Sequence, residues 1–228
     1  MDEYLTDKEQ VERLKKWWSD NYKSILAGVI IAAAIIFGWR WWQHRVEVRS
    51  MTASMMYNRM GEMLAANDFS PAVQIGHDLM KNYIDTPYAT QAALALAQND
   101  VSSNKPDDAA QMLVWVLKNS KDEGLKLLAR LRLARVKLMV GDPQAALHEL
   151  DGVQPGGFAA LYAELRGDAY ARLGDNGKAR AAYQQALSLW TPEMQGKSML
   201  QMKLQSLSPA PGAAKAPAPS DQPKAGKP

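Results

Sequence analysis

Apolar and polar positions divide the 228-residue chain into four stretches of different pattern. In the first, Leu5, Val11, Leu14, Trp17 and Trp18 fall near helical spacing among charges, which predicts a short amphipathic piece. It either lies on a membrane surface or is a solvated tail. In the second, Ser24 to Trp39, there is no charge at all. Leu26, Val29, Ile30, Ile31, Ile35, Ile36 and Phe37 cover every side of a helix, so no polar face is left for water. In the third, from about 46 to 207, strand alternation is missing and apolar helical periods alternate with Gly, Asp, Asn and Pro. The fourth, 208–228, holds six of the 12 prolines and no bulky apolar residue.

The uncharged stretch alone spans roughly 24 Å as a helix, short of the ~30 Å hydrocarbon core. Its flanks extend it. Tyr22 and Lys23 stand at one end and Trp39, Arg40, Trp41 and Trp42 at the other. Aromatic rings with a polar edge favour the headgroup level, and the cations can snorkel outward. The segment from Tyr22 to Trp42 then reaches roughly 31 Å. The charged stretch before it and the lack of a small-x-small site after it argue against a cleaved signal peptide. An uncleaved signal anchor is expected. Lys8, Arg13, Lys15, Lys16 and Lys23 precede the span and Arg40, Arg45, Arg49 and Arg59 follow it, a slight lean toward a cytoplasmic N-terminus.

Behind the anchor a repeat emerges. In "GDAYARLGDNGKARAAYQQAL", Gly167 is a small residue where two helices can approach and Tyr170 follows one turn later. Gly174 closes that helix, and Ala179, Tyr183 and Ala186 line the next. With Pro192 beyond, this is the tetratricopeptide pattern; Ala163 and Arg166 depart from it, since bulkier apolar residues are usual there. Upstream, Ala134, Gly141, Ala146 and Leu150 repeat the pattern, with Gly141-Asp142 and Gly174-Asp175 33 apart. Ala110 aligns with Ala146 at a spacing of 36, and Ala72 with Ala110 at 38, as the pattern fades toward the N-terminus. A last helix, Glu193 to Leu207, is expected to cap the stack, with its methionines mainly in the core. The fold class is therefore all-α: one N-terminal transmembrane helix followed by a tetratricopeptide-like superhelix. The expected divisions are a cytoplasmic tail at 1–21, the anchor at 22–42, the repeat domain at 43–207 and a disordered Pro/Ala/Lys-rich tail at 208–228.

Charge and chemistry narrow the function. The formal charge is +3, but 43–207 carries 18 basic against 17 acidic residues, so no basic domain invites nucleic acid. There is no cysteine, which removes disulfides and thiol chemistry. His44, His77 and His148 have no metal-ligand spacing, and "GVQPGG" lacks the strand and the Lys-Ser/Thr of a phosphate loop. Lys126, Arg130, Arg132, Arg135 and Lys137 share one helix and read as a solvated face. No cofactor and no enzyme is expected. In the repeat register, the residues after the close-packed small positions face a groove for partner segments: Asn99, Arg135 and Asp168, with Met139 and Arg172 one turn on.

"QVERLKKWWSDNYKSILAGVIIAAAIIFGWRWWQ", together with "LKLLARLRLARVKLMVGDPQAALHELDGV" and "LQMKLQSLS", resembles the YfgM-type ancillary subunits of the bacterial Sec translocon. The resemblance spans 1–207. It implies a single-pass protein of the bacterial inner membrane, with a cytoplasmic N-terminus and a periplasmic repeat domain. It also implies association with the SecYEG translocon, with a membrane-anchored parvulin-like periplasmic chaperone, and with translocating proteins. A scaffold for another envelope machine, such as cytochrome maturation or cell division, is the alternative.

Overall fold

The computed structural model describes residues 7–207, and the Pro-rich tail lies outside the described residues. Nine α-helices follow one another, with no strand among the described residues. The first, α1 (Asp7–Ala65), is a single helix of 59 residues. At 1.5 Å per residue it is roughly 88 Å long. From Asp7 it runs without a break through the rest of the amphipathic piece, the apolar stretch and the first helix of the repeat domain; Leu5 lies outside the described residues. The chain does not turn near residue 21 or at 42.

The remaining helices are α2 (Phe69–Asn82), α3 (Pro87–Ser102), α4 (Pro106–Asn119), α5 (Glu123–Met139), α6 (Pro143–Leu150), α7 (Ala159–Arg172), α8 (Asn176–Ser188) and α9 (Lys197–Ser206). Each packs on the next, and the leading helices also touch in series: α1 on α3, α3 on α5, α5 on α7. That is the contact pattern of stacked helix pairs, with the buried residues in three successive clusters along the stack.

The pairs are set by one turn used four times. Asn67, Asn104, Gly141 and Gly174 hold φ of 60°, 56°, 83° and 77°, and they lie 37, 37 and 33 residues apart. At each, the left-handed residue donates its N–H three residues back. The next residue donates five back: Asp68 to Met63 O at 2.9 Å, Lys105 to Asp100 O at 2.8 Å, Asp142 to Lys137 O at 2.9 Å and Asp175 to Tyr170 O at 3.0 Å. This is the Schellman closure, which satisfies the last carbonyls of the leading helix. The residue after the left-handed one is the N-cap of the trailing helix. Asp142 and Asp175 also accept side-chain hydrogen bonds there, from Ala145 N at 2.9 Å and Lys178 N at 3.0 Å.

Four residues past each N-cap sits a fully buried alanine: Ala72, Ala109, Ala146 and Ala179. Ala110, aligned by sequence, is only partly buried. The second repeat is therefore one residue out of the expected register, and the true spacing is 37, matching the turns. Arg166, a departure from the repeat pattern, closes the end of the short α6. Its Nη2 donates to Leu150 O at 2.5 Å and stands 3.4 Å from Asp151 Oδ1.

The last helix caps the stack through one face. Leu200 is fully buried, with Leu204 and Leu207 packed beside it against Ala163, Ala179, Tyr183 and Ala186. Met199 and Met202 are 58% and 60% exposed, contrary to the expectation that they fill the core. The helix packs mainly on α8 and reaches α7 through Leu200 and Lys203, which leaves Met199 and Met202 on its exposed side.

Candidate partner-binding groove

Tyr22 and Lys23 lie at one end of the uncharged stretch of α1 and Trp39, Arg40, Trp41 and Trp42 at the other. Among the described residues no other element covers the large apolar side chains between them; Phe37 is 73% exposed. A core helix of a soluble domain would bury them. Lys23 Nζ stands 6.0 Å from the Tyr22 ring centre and the Arg45 guanidinium 5.5 Å from that of Trp41. The helix is long and apolar enough to cross a membrane.

A few residues on, Arg49 ties α1 to the loop between α2 and α3. Its Nη2 and Nε reach the two oxygens of Asp85 at 2.8 and 3.2 Å, and Nη2 also donates to Asn82 O. The guanidinium lies over the Tyr83 ring at 5.2 Å. The hydrogen bonds from Arg49 hold the Asp85 carboxyl below its ordinary range. This forked pair holds α1 against the loop between α2 and α3.

The leading helices α3, α5 and α7 line two adjoining cavities. One, of about 310 Å3, is walled by Ala97, Gln98, Val101, Leu113, Val136 and Met139, with Arg132 and Arg135 over it. The other, of about 590 Å3, is bounded by Arg135, Met139, Leu165, Asp168, Arg172, Tyr183 and Lys203, among others. Arg135 and Met139 belong to both, so the two form a single groove.

Four of the five residues expected in the groove are there: Arg135, Met139, Asp168 and Arg172. Asn99 is not. Gln98 takes its place, one residue earlier, which is the same one-residue slip that put Ala110 in place of Ala109. One residue is 100° of helical rotation, enough to take Asn99 off the wall that Gln98 forms. Arg132, assigned by sequence to a solvated face, is half-buried in the groove; Arg130 and Lys126, also partly buried, lie outside it and pair with Glu149 at 3.8 Å and Glu123 at 2.8 Å.

The groove residues are not equivalent in what they can do. Asp168 is already engaged: Tyr183 Oη donates to its Oδ1 at 2.8 Å, and Lys203 Nζ bridges it and Glu164, both at 2.8 Å. Burial lowers the affinity of the Lys203 ammonium for its proton, but the two carboxylates outweigh this and hold its pKa above the ordinary value. Burial, then the Asp168 carboxylate, pushes the Tyr183 hydroxyl well up. Arg172 donates Nη1 to Leu138 O, stitching α7 to α5. Among the described residues Arg132 makes one long hydrogen bond, 3.4 Å to Leu94 O. Burial and the neighbouring Arg135 both pull its pKa down, the mark of a cation without a counter-charge. Arg135 has no hydrogen-bond or ion-pair partner among the described residues, and both it and Met139 are exposed. Among the described residues no group of His, Asp and Glu could hold a metal ion.

An apolar helix that continues into stacked helix pairs with a lined groove defines a membrane-anchored helical-repeat protein. A family model described as a tetratricopeptide repeat-like domain matches residues 15–209. Curated relatives agree along nearly the whole chain. A protein of Escherichia coli (strain K12) named "Ancillary SecYEG translocon subunit" is 34% identical over 91% of this chain and all of the relative. Proteins of the same name from Neisseria gonorrhoeae and Haemophilus influenzae are 31% and 29% identical, covering 90% and 89% of this chain and 98% of each relative. The chain belongs to the family of ancillary SecYEG translocon subunits. No solved structure matches it.

Proposed function

We propose that this chain is a non-catalytic adaptor of the SecYEG translocon. It crosses the membrane once, with a cytoplasmic N-terminus and a periplasmic repeat domain. The groove presented by α3, α5 and α7 takes segments of translocating proteins or of a parvulin-like periplasmic chaperone, and so links channel exit to folding assistance. The observation that carries this reading is the unbroken α1. A helix that leaves the bilayer and becomes the first leading helix of the stack holds the groove at a set height above the span.

The absence of native cysteine makes topology directly readable. Single cysteines at Lys15 and Lys121, both exposed, are to be challenged with a membrane-impermeant maleimide in intact cells. Labelling at 121 and protection at 15 are expected; the reverse overturns the orientation. Copurification after mild solubilisation is expected to recover channel subunits. Recovery of cytochrome-maturation or cell-division subunits in their place would move the adaptor to another envelope machine.

A further inference from the structure

The arginine pair over the smaller cavity identifies what the groove selects. Arg132 and Arg135 are one helical turn apart on α5, so their side chains rise from the same face. Beneath them lies an apolar floor of Val101, Leu113, Val136 and Met139. No Asp or Glu lines this cavity. The one acid of the adjoining cavity, Asp168, is held by Tyr183 and Lys203. Among the described residues Arg135 has no ion-pair partner, and Arg132 meets only a backbone carbonyl. A half-buried guanidinium left without a carboxylate has lost hydration and gained little in return. A ligand that brings the missing charge recovers that loss.

We infer that the groove binds an internal polypeptide segment that sets an acidic side chain against Arg132 and Arg135 and an adjacent aliphatic side chain onto the floor below. Charge complementarity chooses the carboxylate, and the apolar floor chooses its neighbour. The cavity opens into the next one across Arg135 and Met139, so a chain can run through it. That favours a side-chain carboxylate over a chain end, which would suit a closed pocket. Cationic segments are repelled. This inference rests on the adaptor reading above and adds the chemical class of its ligand.

The test uses the full chain in detergent micelles and three short fluorescein-labelled peptides read by anisotropy. The first alternates leucine and glutamate and has an amidated C-terminus. The second replaces its glutamates by glutamine. The third is the glutamine peptide with a free C-terminal carboxylate. The first is expected to bind about tenfold or more tightly than the other two, with the difference shrinking as salt is raised. Arg135→Gln is expected to remove most of that preference without moving the thermal midpoint, since its side chain has no partner to lose. Arg132→Gln is expected to remove it as well. Equal binding of the first and second peptides overturns the inference. So does tight binding of the third, which would make the ligand a chain end, or a preference that survives both variants. A photo-crosslinker at Gln98 in native membranes separates this inference from the adaptor reading. Channel or client crosslinks together with charge-blind peptide binding leave the adaptor and refute the charge rule. Charge-selective binding without any channel subunit in the copurified material does the opposite.

Discussion

The ring of Tyr183 occupies the space that a side chain at position 167 would fill. A Cβ placed on Gly167 would collide with Cδ1 and Cε1 of that ring and lie 3.0 Å from its Cγ. Both residues are buried, and the Tyr183 hydroxyl is held in place by Asp168. The ring cannot swing away without losing that bond. Gly167→Leu is therefore expected to lower stability by roughly 1–3 kcal/mol or more, read as a fall in the thermal midpoint of the full chain. An unchanged midpoint would refute the close approach.

The first repeat solves the same packing problem the other way round. Met60, Ala97, Ala134 and Gly167 are equivalent positions on the leading helices, and Gly76, Leu113, Leu150 and Tyr183 are their counterparts on the trailing helices. Size grows on one side as it shrinks on the other. At the N-terminal end the large residue is Met60 and the small one Gly76, whose added Cβ would lie 3.1 Å from Met60 Sδ and 2.7 Å from Leu96 Cδ1. Gly76→Leu is expected to destabilise the protein, and Met60→Ala to recover part of that loss in the double variant. A double-mutant cycle with no coupling would separate the two residues.

This inversion explains what could be read from sequence. The anchor was legible because its stretch is apolar on all sides and is flanked by Tyr22 and Lys23 at one end and Trp39, Arg40, Trp41 and Trp42 at the other. The last two repeats were legible because Gly141-Asp142 and Gly174-Asp175 advertise their turns, and Gly167 their contact. The first two form the same turns with Asn67 and Asn104, which also occur in many other settings, and the first reverses the small and large partners. With no glycine to fix the register, Ala110 stood in for Ala109, and Asn99 for Gln98. The continuity of α1 was hidden for a different reason. Charges on both sides of the span suggested boundaries, yet charged residues are good helix formers and no Pro or Gly interrupts 43–60.

The two asparagines offer a direct check on the turn. A side-chain-bearing residue in the left-handed region costs roughly 1 kcal/mol against glycine, asparagine somewhat less. Asn104→Gly is expected to leave the midpoint equal or higher, and Asn104→Val to lower it. Hydrogen exchange at Lys105 N, which closes on Asp100 O, reads the turn itself: it should quicken in the valine variant only.

At high pH the cap helix is expected to loosen first. Both Lys203 and Tyr183 hold their protons more firmly in the folded chain than in the unfolded one. The stability they contribute is complete below about pH 10, near their unfolded values, and is lost as pH rises through the folded ones. Midpoints measured from pH 7 to 11 should stay level and then fall. Lys203→Met together with Tyr183→Phe should flatten the alkaline limb, and a fall of undiminished steepness would locate its cause elsewhere.

Because α1 has no joint between Trp42 and Ala65, the bilayer has mechanical leverage over the groove. Those 23 residues make an arm of roughly 35 Å. Spans commonly lean by about 20° to match the thickness of the surrounding lipid, and a lean of that size carries the far end of the arm sideways by roughly 12 Å. The forked contact between Arg49 and Asp85 ties this arm to the loop that joins α2 and α3. A thinner or thicker membrane thus repositions the groove relative to whatever stands beside it, with no change in the repeat domain itself.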